Sequence, residues 1–154
     1  MIEPMRQRWN TEISDSDIAW CVQLYRSKAQ LEWWGPLFRA AYPRSRVVLI
    51  TDGDGEDYTA IARHFGFDLL EGGHLMALPT CDQYVRRMLT ALLDGSEAYL
   101  FRIDPDARVW RRFNRMPAFS SVFGTLETFT EGGRSEIMVP ANIQGGCFGL
   151  TRDA

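Results

Sequence analysis

The residues best placed to do chemistry are two short acidic clusters. Asp104-Pro105-Asp106 sets two carboxylates two residues apart with a proline between them. They can meet on one hard divalent cation if the backbone turns at that point, and Pro105 restricts the backbone there. Such a cation prefers oxygen ligands and keeps positions free for phosphate oxygens. The plain alternative is a pair of solvated carboxylates on a turn. The second cluster, Asp52-Gly53-Asp54-Gly55-Glu56-Asp57, follows a run of aliphatic residues.

The second cluster does not fit a calcium loop of the EF-hand kind. Its sixth position would be Asp57 instead of Gly, and its twelfth Arg63 instead of Glu. A phosphatase of the haloacid-dehalogenase type uses DxDG after a buried strand, with Asp52 then the nucleophile and Asp54 the acid/base. The motif here falls on the second strand of the chain, and no suitable Lys or paired acids follow at strand ends.

The elements that must carry these clusters are legible from periodicity. Ile18 to Leu24 (IAWCVQL) reads as a buried strand. Residues 28–42 carry apolar side chains at helical spacing, with Gly35-Pro36 expected to kink or restart the helix and Pro43 to end it. Arg46 to Thr51 (RVVLIT) is a β-branched and aliphatic run that expects cover on both faces. A helix to about Phe65 closes on Gly66, and Phe67 to Glu71 is a short strand. Thr80 caps a helix striped by Tyr84, Met88, Ala91 and Leu92, which Asp94-Gly95 ends. Glu97 to Ile103 is the next strand, and Val109-Trp110 opens an extended segment. The alternation predicts an α/β fold: a Rossmann-like, mostly parallel sheet with helices on both faces. From about Ser120, short runs and glycine pairs predict a small mixed or antiparallel part packed beside it. Ligands of such sheets bind outside the carboxyl ends of the strands. Those ends here are Tyr25-Arg26, Asp52-Gly53-Asp54 and Asp104-Pro105-Asp106.

With these segments in this order, the chain resembles the GT-A glycosyltransferases over roughly residues 17–152. Leu24-Tyr25-Arg26-Ser27 with Leu31 matches the end of that family's first strand. VVLITDGDGED matches its second strand and acidic turn, LFRIDPDARVW its DxD strand, and Gln144-Gly145-Gly146-Cys147 its later Gly-Gly strand. The resemblance implies a metal-dependent enzyme that moves a sugar from a nucleoside-diphosphate sugar, a UDP-sugar by preference, to an acceptor. It implies Mn2+ or Mg2+ on Asp104 and Asp106, with Asp106 the direct ligand, and through it the donor diphosphate. Tyr25 and Arg26 would border the nucleotide, Asp52 or Asp54 would accept a bond from the base, and Arg86 or Arg87 would reach the diphosphate. Gly145 and Gly146 would let the backbone approach the transferred sugar or acceptor. The family continues past its Gly-Gly strand into a helix carrying an acidic base, and Asp153 is the remaining candidate for that role. Three alternatives remain: a shortened enzyme, a truncated chain, or a donor-binding domain without chemistry of its own. A nucleotidyltransferase on a related sheet is the other enzymatic reading, disfavoured because residues 24–30 (LYRSKAQ) lack the glycines of its first loop.

Other features bound the function. Sixteen Arg and one Lys against 11 Asp and 9 Glu give a net charge of −3, which lacks the basic surplus of a general nucleic-acid binder. No apolar run approaches the ~20 residues of a membrane span. Arg102, Arg108, Arg111, Arg112 and Arg115 cluster near the DxD motif, where most read as a solvated face and some as phosphate clamps. Cys21, Cys81 and Cys147 show no metal or disulfide spacing with His64 or His74 and read as buried thiols. The five tryptophans read as packing residues more than as sugar platforms. Residues 1–16 read as a polar arm without a leader's apolar stretch, and 17–154 as one nucleotide-sugar-binding domain, with a cytoplasmic location as the default.

Overall fold

The computed structural model describes residues 11–73, 81–107, 112, 115–116, 122–126, 129–131, 134–136 and 143–152. In chain order, β1 (Thr11–Glu12) and a single 3-10 turn (Asp15–Asp17) lead into β2 (Ile18–Leu24), α1 (Lys28–Ala41) and β3 (Arg46–Thr51). Then come α2 (Thr59–Phe65), β4 (Asp68–Leu70), α3 (Cys81–Leu93), β5 (Tyr99–Ile103) and β6 (Arg115–Met116). The remaining strands are β7 (Val122–Leu126), β8 (Phe129–Glu131), β9 (Arg134–Glu136) and β10 (Ile143–Thr151).

Six strands form one sheet in the order β4-β3-β2-β5-β10-β7. The pairs β2–β3, β3–β4 and β2–β5 are parallel, whereas β10 runs antiparallel to both β5 and β7. The fold is therefore the expected Rossmann-like α/β arrangement. The C-terminal part is antiparallel, as expected: β10 and β7 extend the sheet past β5, and β8 and β9 form a separate two-stranded antiparallel sheet. Gly145-Gly146 sits inside β10, where the pairing register with β7 shifts between Ile143 and Phe148, as glycines in strands commonly allow.

Both faces of the sheet are covered, which explains why β2 and β3 read as continuous apolar runs. On one face Trp20, Val22, Leu24, Leu49 and Phe101 pack against Leu31, Trp34 and Phe38 of α1 and Ala62 of α2. On the other, Ala19, Cys21, Val48, Ile50 and Leu100 pack against Tyr84, Met88, Ala91 and Leu92 of α3. Trp20 and Trp34 are thus core residues, and burial pushes the Cys21 thiol up to about 12. Trp33 is half-exposed, Cys81 and Cys147 have no described side chains, and Trp9, Trp110, His74 and Thr80 lie outside the described residues.

Helix α1 does not restart at Gly35-Pro36. It runs unbroken to Ala41 with Pro36 inside it. Proline at that point forfeits one N–H bond, while Gly35 leaves room for a neighbour: a Cβ there would lie 2.5 Å from the Phe65 ring of α2. Gly66 closes α2 in the left-handed conformation, φ 62°. The C-terminal end of α3 is held by two arginines, Arg46 on the Ala91 and Leu92 carbonyls and Arg152 on that of Leu93.

Of the polar arm expected over 1–16, residues 1–10 lie outside the described residues, and the described part is tied to the body. β1 pairs with β6, and Asp15 is fully buried. The Asp15 carboxylate accepts the Arg44 backbone N–H at 2.8 Å and Arg44 Nη2 at 2.7 Å. Burial alone would raise this carboxyl, but the bonds from Arg44 overcome it and hold Asp15 below its ordinary value. A depressed folded-state pKa contributes stability above the unfolded value, and that contribution is lost as pH falls through the folded one. Asp15→Asn should therefore cost about 1–3 kcal/mol near neutral pH and flatten the acid side of the stability curve. Chemical denaturation of both proteins from pH 3 to 7 checks this, and parallel curves would contradict it.

Candidate functional site

The connections of the sheet place a crevice before any side chain is considered. From β2 the chain moves through β3 and β4 on one side, then returns to lay β5 on the other side of β2. This reversal is the topological switch point at which open α/β sheets bind ligands, at the carboxyl ends of the diverging strands. A cleft of about 400 Å3 lies there, lined by Gln23, Tyr25, Ser27, Gln30, Asp52, Arg102, Asp104, Pro105 and Asp106. Residues from the ends of β2, β3 and β5 thus share one space.

The β5 side of the cleft is a short polar relay. Arg102 Nη2 lies 2.5 Å from Asp104 Oδ1, and the Arg102 side chain is largely buried. Its guanidinium also bonds the hydroxyl of Tyr84, on α3. Burial pushes the Tyr84 hydroxyl up to about 12, against the opposing pull of Arg102. A turn follows, closed by the Ala107 N–H on the Asp104 carbonyl at 3.0 Å, so the chain does bend between the two carboxylates. Asp104 is partly exposed and Asp106 exposed.

The β2 side is shaped by hydrogen bonds from the loop after β3. The Arg26 N–H donates to Asp54 Oδ2 at 2.5 Å, the Ser27 N–H to the Tyr58 hydroxyl at 3.2 Å, and the Lys28 N–H to Glu56 Oε2 at 3.1 Å. The Tyr58 hydroxyl in turn lies 2.6 Å from both Asp54 Oδ2 and Glu56 Oε2, so its one proton serves one carboxylate at a time. Burial pushes this hydroxyl well above its ordinary range, and the two carboxylates push it further. Burial would raise Asp54 as well, but bonds from Tyr58 and the Arg26 and Glu56 backbones hold it down. Arg26 itself sits at φ 51°, a left-handed conformation that side-chain-bearing residues rarely adopt.

The structure therefore brings some of the expected residues together and separates others. Tyr25, Asp52, Asp104 and Asp106 line the switch-point cleft. Asp54 does not; it lines a neighbouring hollow with Glu56, Asp57 and Glu71. That separation removes the geometry a DxDG phosphatase needs, since Asp52 and Asp54 face different spaces. Arg26 is absent from the cleft lining and lies over the Tyr25 ring, its guanidinium carbon 5.3 Å from the centroid. Arg86 is exposed on α3 and lines neither space, whereas Arg87 reaches the Glu71 carbonyl. Cys147 of β10 pairs with Ile103 of β5, so Gly145 and Gly146 precede it at the cleft end of that strand. Asp153, Arg108 and Arg111 lie outside the described residues, Arg115 is exposed in β6, and Arg112 approaches Asp15 at 4.0 Å. His64 stacks edge-on against Phe65.

Two lining residues, Gln23 and Gln30, fell outside every motif, while Ser27 entered only through the Leu24–Ser27 segment and Arg102 through the arginine cluster. A signal existed for two of them. Gln23 and Arg102 are lone polar residues inside otherwise apolar strands, Gln23 directly before the Leu24–Ser27 segment and Arg102 two residues before Asp104.

Among the described residues no group of three or more His, Cys, Asp or Glu side chains could hold a metal unaided, and no helix is long and apolar enough to cross a membrane. Compared with protein-family models and with curated proteins, the chain matches none. Among solved structures it is similar to a mannosyltransferase, PcManGT from Pyrobaculum calidifontis, determined in complex with GDP-Man and Mn2+. The TM-score is 0.44 and the identity 14%, and the match covers 64% of this chain but 31% of that one.

Tyr58→Phe tests the loop network. It removes one hydroxyl that serves Ser27, Asp54 and Glu56, and should lower stability by about 1–3 kcal/mol. An unchanged denaturation midpoint would show that the contacts of this hydroxyl contribute nothing to the fold.

Proposed function

We propose that the switch-point cleft binds a nucleoside-diphosphate sugar together with a divalent cation, and that the protein is a GT-A-type glycosyltransferase domain. The observation that carries this reading is the charge of the cleft. Among the described residues its lining holds three carboxylates, Asp52, Asp104 and Asp106, and one arginine, Arg102. A bare diphosphate entering such a space meets a formal excess of negative charge and is repelled. A hard cation shared between the carboxylates and the phosphate oxygens converts that repulsion into attraction.

The residues fit such a cation. The donor set is all oxygen, and one or two carboxylates plus substrate phosphates are the usual way of holding Mg2+-like ions. Asp104 gives one oxygen to Arg102, so Asp106 would be the direct ligand, with the other oxygen of Asp104 available to it. Bound there, Mn2+ or Mg2+ would stabilise negative charge on the departing diphosphate. Arg102 adds a buried guanidinium fork suited to phosphate oxygens. Asp52, nearly fully buried at the end of β3, is the acceptor for a base N–H, with uridine the first base to test. Tyr25 is half-exposed on the rim and offers a ring face to the nucleotide. The glycine pair of β10, at the end of β5, would let the backbone approach the sugar or its acceptor.

Calorimetric titration of nucleoside diphosphates with and without Mn2+ tests the proposal. The wild-type chain should bind only with the metal, and Asp106→Ala should weaken binding at least ~10-fold, the loss of a charge-assisted contact. Metal-independent binding by both proteins, or none by either, would overturn it. A paired assay for release of free sugar or its transfer separates an active domain from a donor-binding one.

A further inference from the structure

We propose that Arg102 stands in for the divalent cation on Asp104 before nucleotide binds, and turns that donor to the diphosphate when metal and nucleotide enter together. It thereby suppresses uptake of bare metal and couples the metal to the nucleotide. The inference rests on the nucleotide-sugar reading and adds to it a positioning residue that makes metal uptake depend on the nucleotide.

Arg102 Nη2 lies 2.5 Å from Asp104 Oδ1, and both residues line the cleft, their side chains 11% and 34% exposed. The carboxylate that would share the metal is therefore already paired with a cation of this chain. The same guanidinium bonds the hydroxyl of Tyr84, a residue of α3 that is buried against the sheet. Tyr84 thus keeps the guanidinium at the cleft wall.

That anchor sets the cost of binding metal by itself. A divalent ion on Asp104 takes a partner from a largely buried guanidinium and leaves like charges side by side. Held by Tyr84, Arg102 has no short way out to water. A diphosphate relieves both penalties. Its oxygens accept from the guanidinium in place of Asp104 Oδ1, and its negative charge lies between the two cations. A guanidinium carries five N–H donors, so it can exchange one acceptor while keeping Tyr84. Metal and diphosphate therefore favour each other in the cleft, and linkage makes that effect reciprocal.

The test uses the full chain. Electron paramagnetic resonance reads its uptake of bare Mn2+, and calorimetry its binding of uridine and guanosine diphosphates at saturating Mn2+. Arg102→Met removes the charge and keeps a long side chain. Arg102→Gln also removes the charge but keeps a donor for Tyr84, and serves if the first variant does not fold. Each neutral variant should take up bare Mn2+ at least ~10-fold more tightly than the wild type, and bind diphosphate with Mn2+ at least ~10-fold more weakly, the effect of one charge-assisted contact in each direction. Damage to the fold would weaken both. A neutral variant that takes up bare Mn2+ no more tightly than the wild type overturns the inference. So does one that binds diphosphate as well as the wild type does. Absence of diphosphate binding by the wild type would remove the parent reading and this one together, whereas the other two failures remove this one alone.

Discussion

Three consecutive backbone N–H groups, those of Arg26, Ser27 and Lys28, are the constraint on which the site depends. They lie where β2 ends and α1 begins, and the first N–H groups of a helix have no partner within it. In many open α/β sheets such groups hold a phosphate. Here Asp54, Tyr58 and Glu56 occupy them from the loop after β3. The consequence is mechanical: the loop after β3 fixes the turn after β2, so two walls of the crevice cannot move independently. The left-handed φ of Arg26 costs roughly 1 kcal/mol, and the short bond from its N–H to Asp54 offsets part of that cost.

The arrangement also decides where an anion cannot go. With carboxylates on the α1 terminus, the positive end of that helix is already neutralised. Among the described residues of the lining, the cation is Arg102, on the β5 side. That arginine is held between Tyr84 and Asp104 on the face of the sheet that α3 covers. The β5 side thus carries both the cation and two of the carboxylates, Asp104 and Asp106, while Asp52 stands across β2 at the end of β3.

Much of this was legible in the residues and some was not. The strands β2, β3 and β5 were readable because burial on both faces leaves continuous apolar runs, and the ends of those runs gave Tyr25, Asp52, Asp104 and Asp106 a shared location. The Asp54 assignment failed as a cleft residue because spacing does not say which way a loop carboxylate turns. Tyr58, four residues on, captures it, and a single tyrosine in a loop carries no periodic signal. Gly35-Pro36 reads as a break because local propensity says so, but the Phe65 ring seated against Gly35 is a tertiary contact that no window of sequence contains. Gln23 was visible as an exception within its strand.

The direction of β10 completes the site in a way that parallel continuation would not. The parallel half of the sheet would otherwise end at β5 with an open edge of unpaired N–H and C=O groups. A further parallel strand would cover that edge and deliver its own carboxyl end to the crevice, with the side chains of the next loop crowding Asp104. β10 instead enters from the crevice side, reaching Ile103 with Cys147 and running back to Tyr99 with Thr151. After Ile143 and Gln144 come Gly145 and Gly146, which have no Cβ, and the register shift with β7 falls on the same stretch. Next to the end of β5 the incoming strand therefore carries two consecutive residues without side chains.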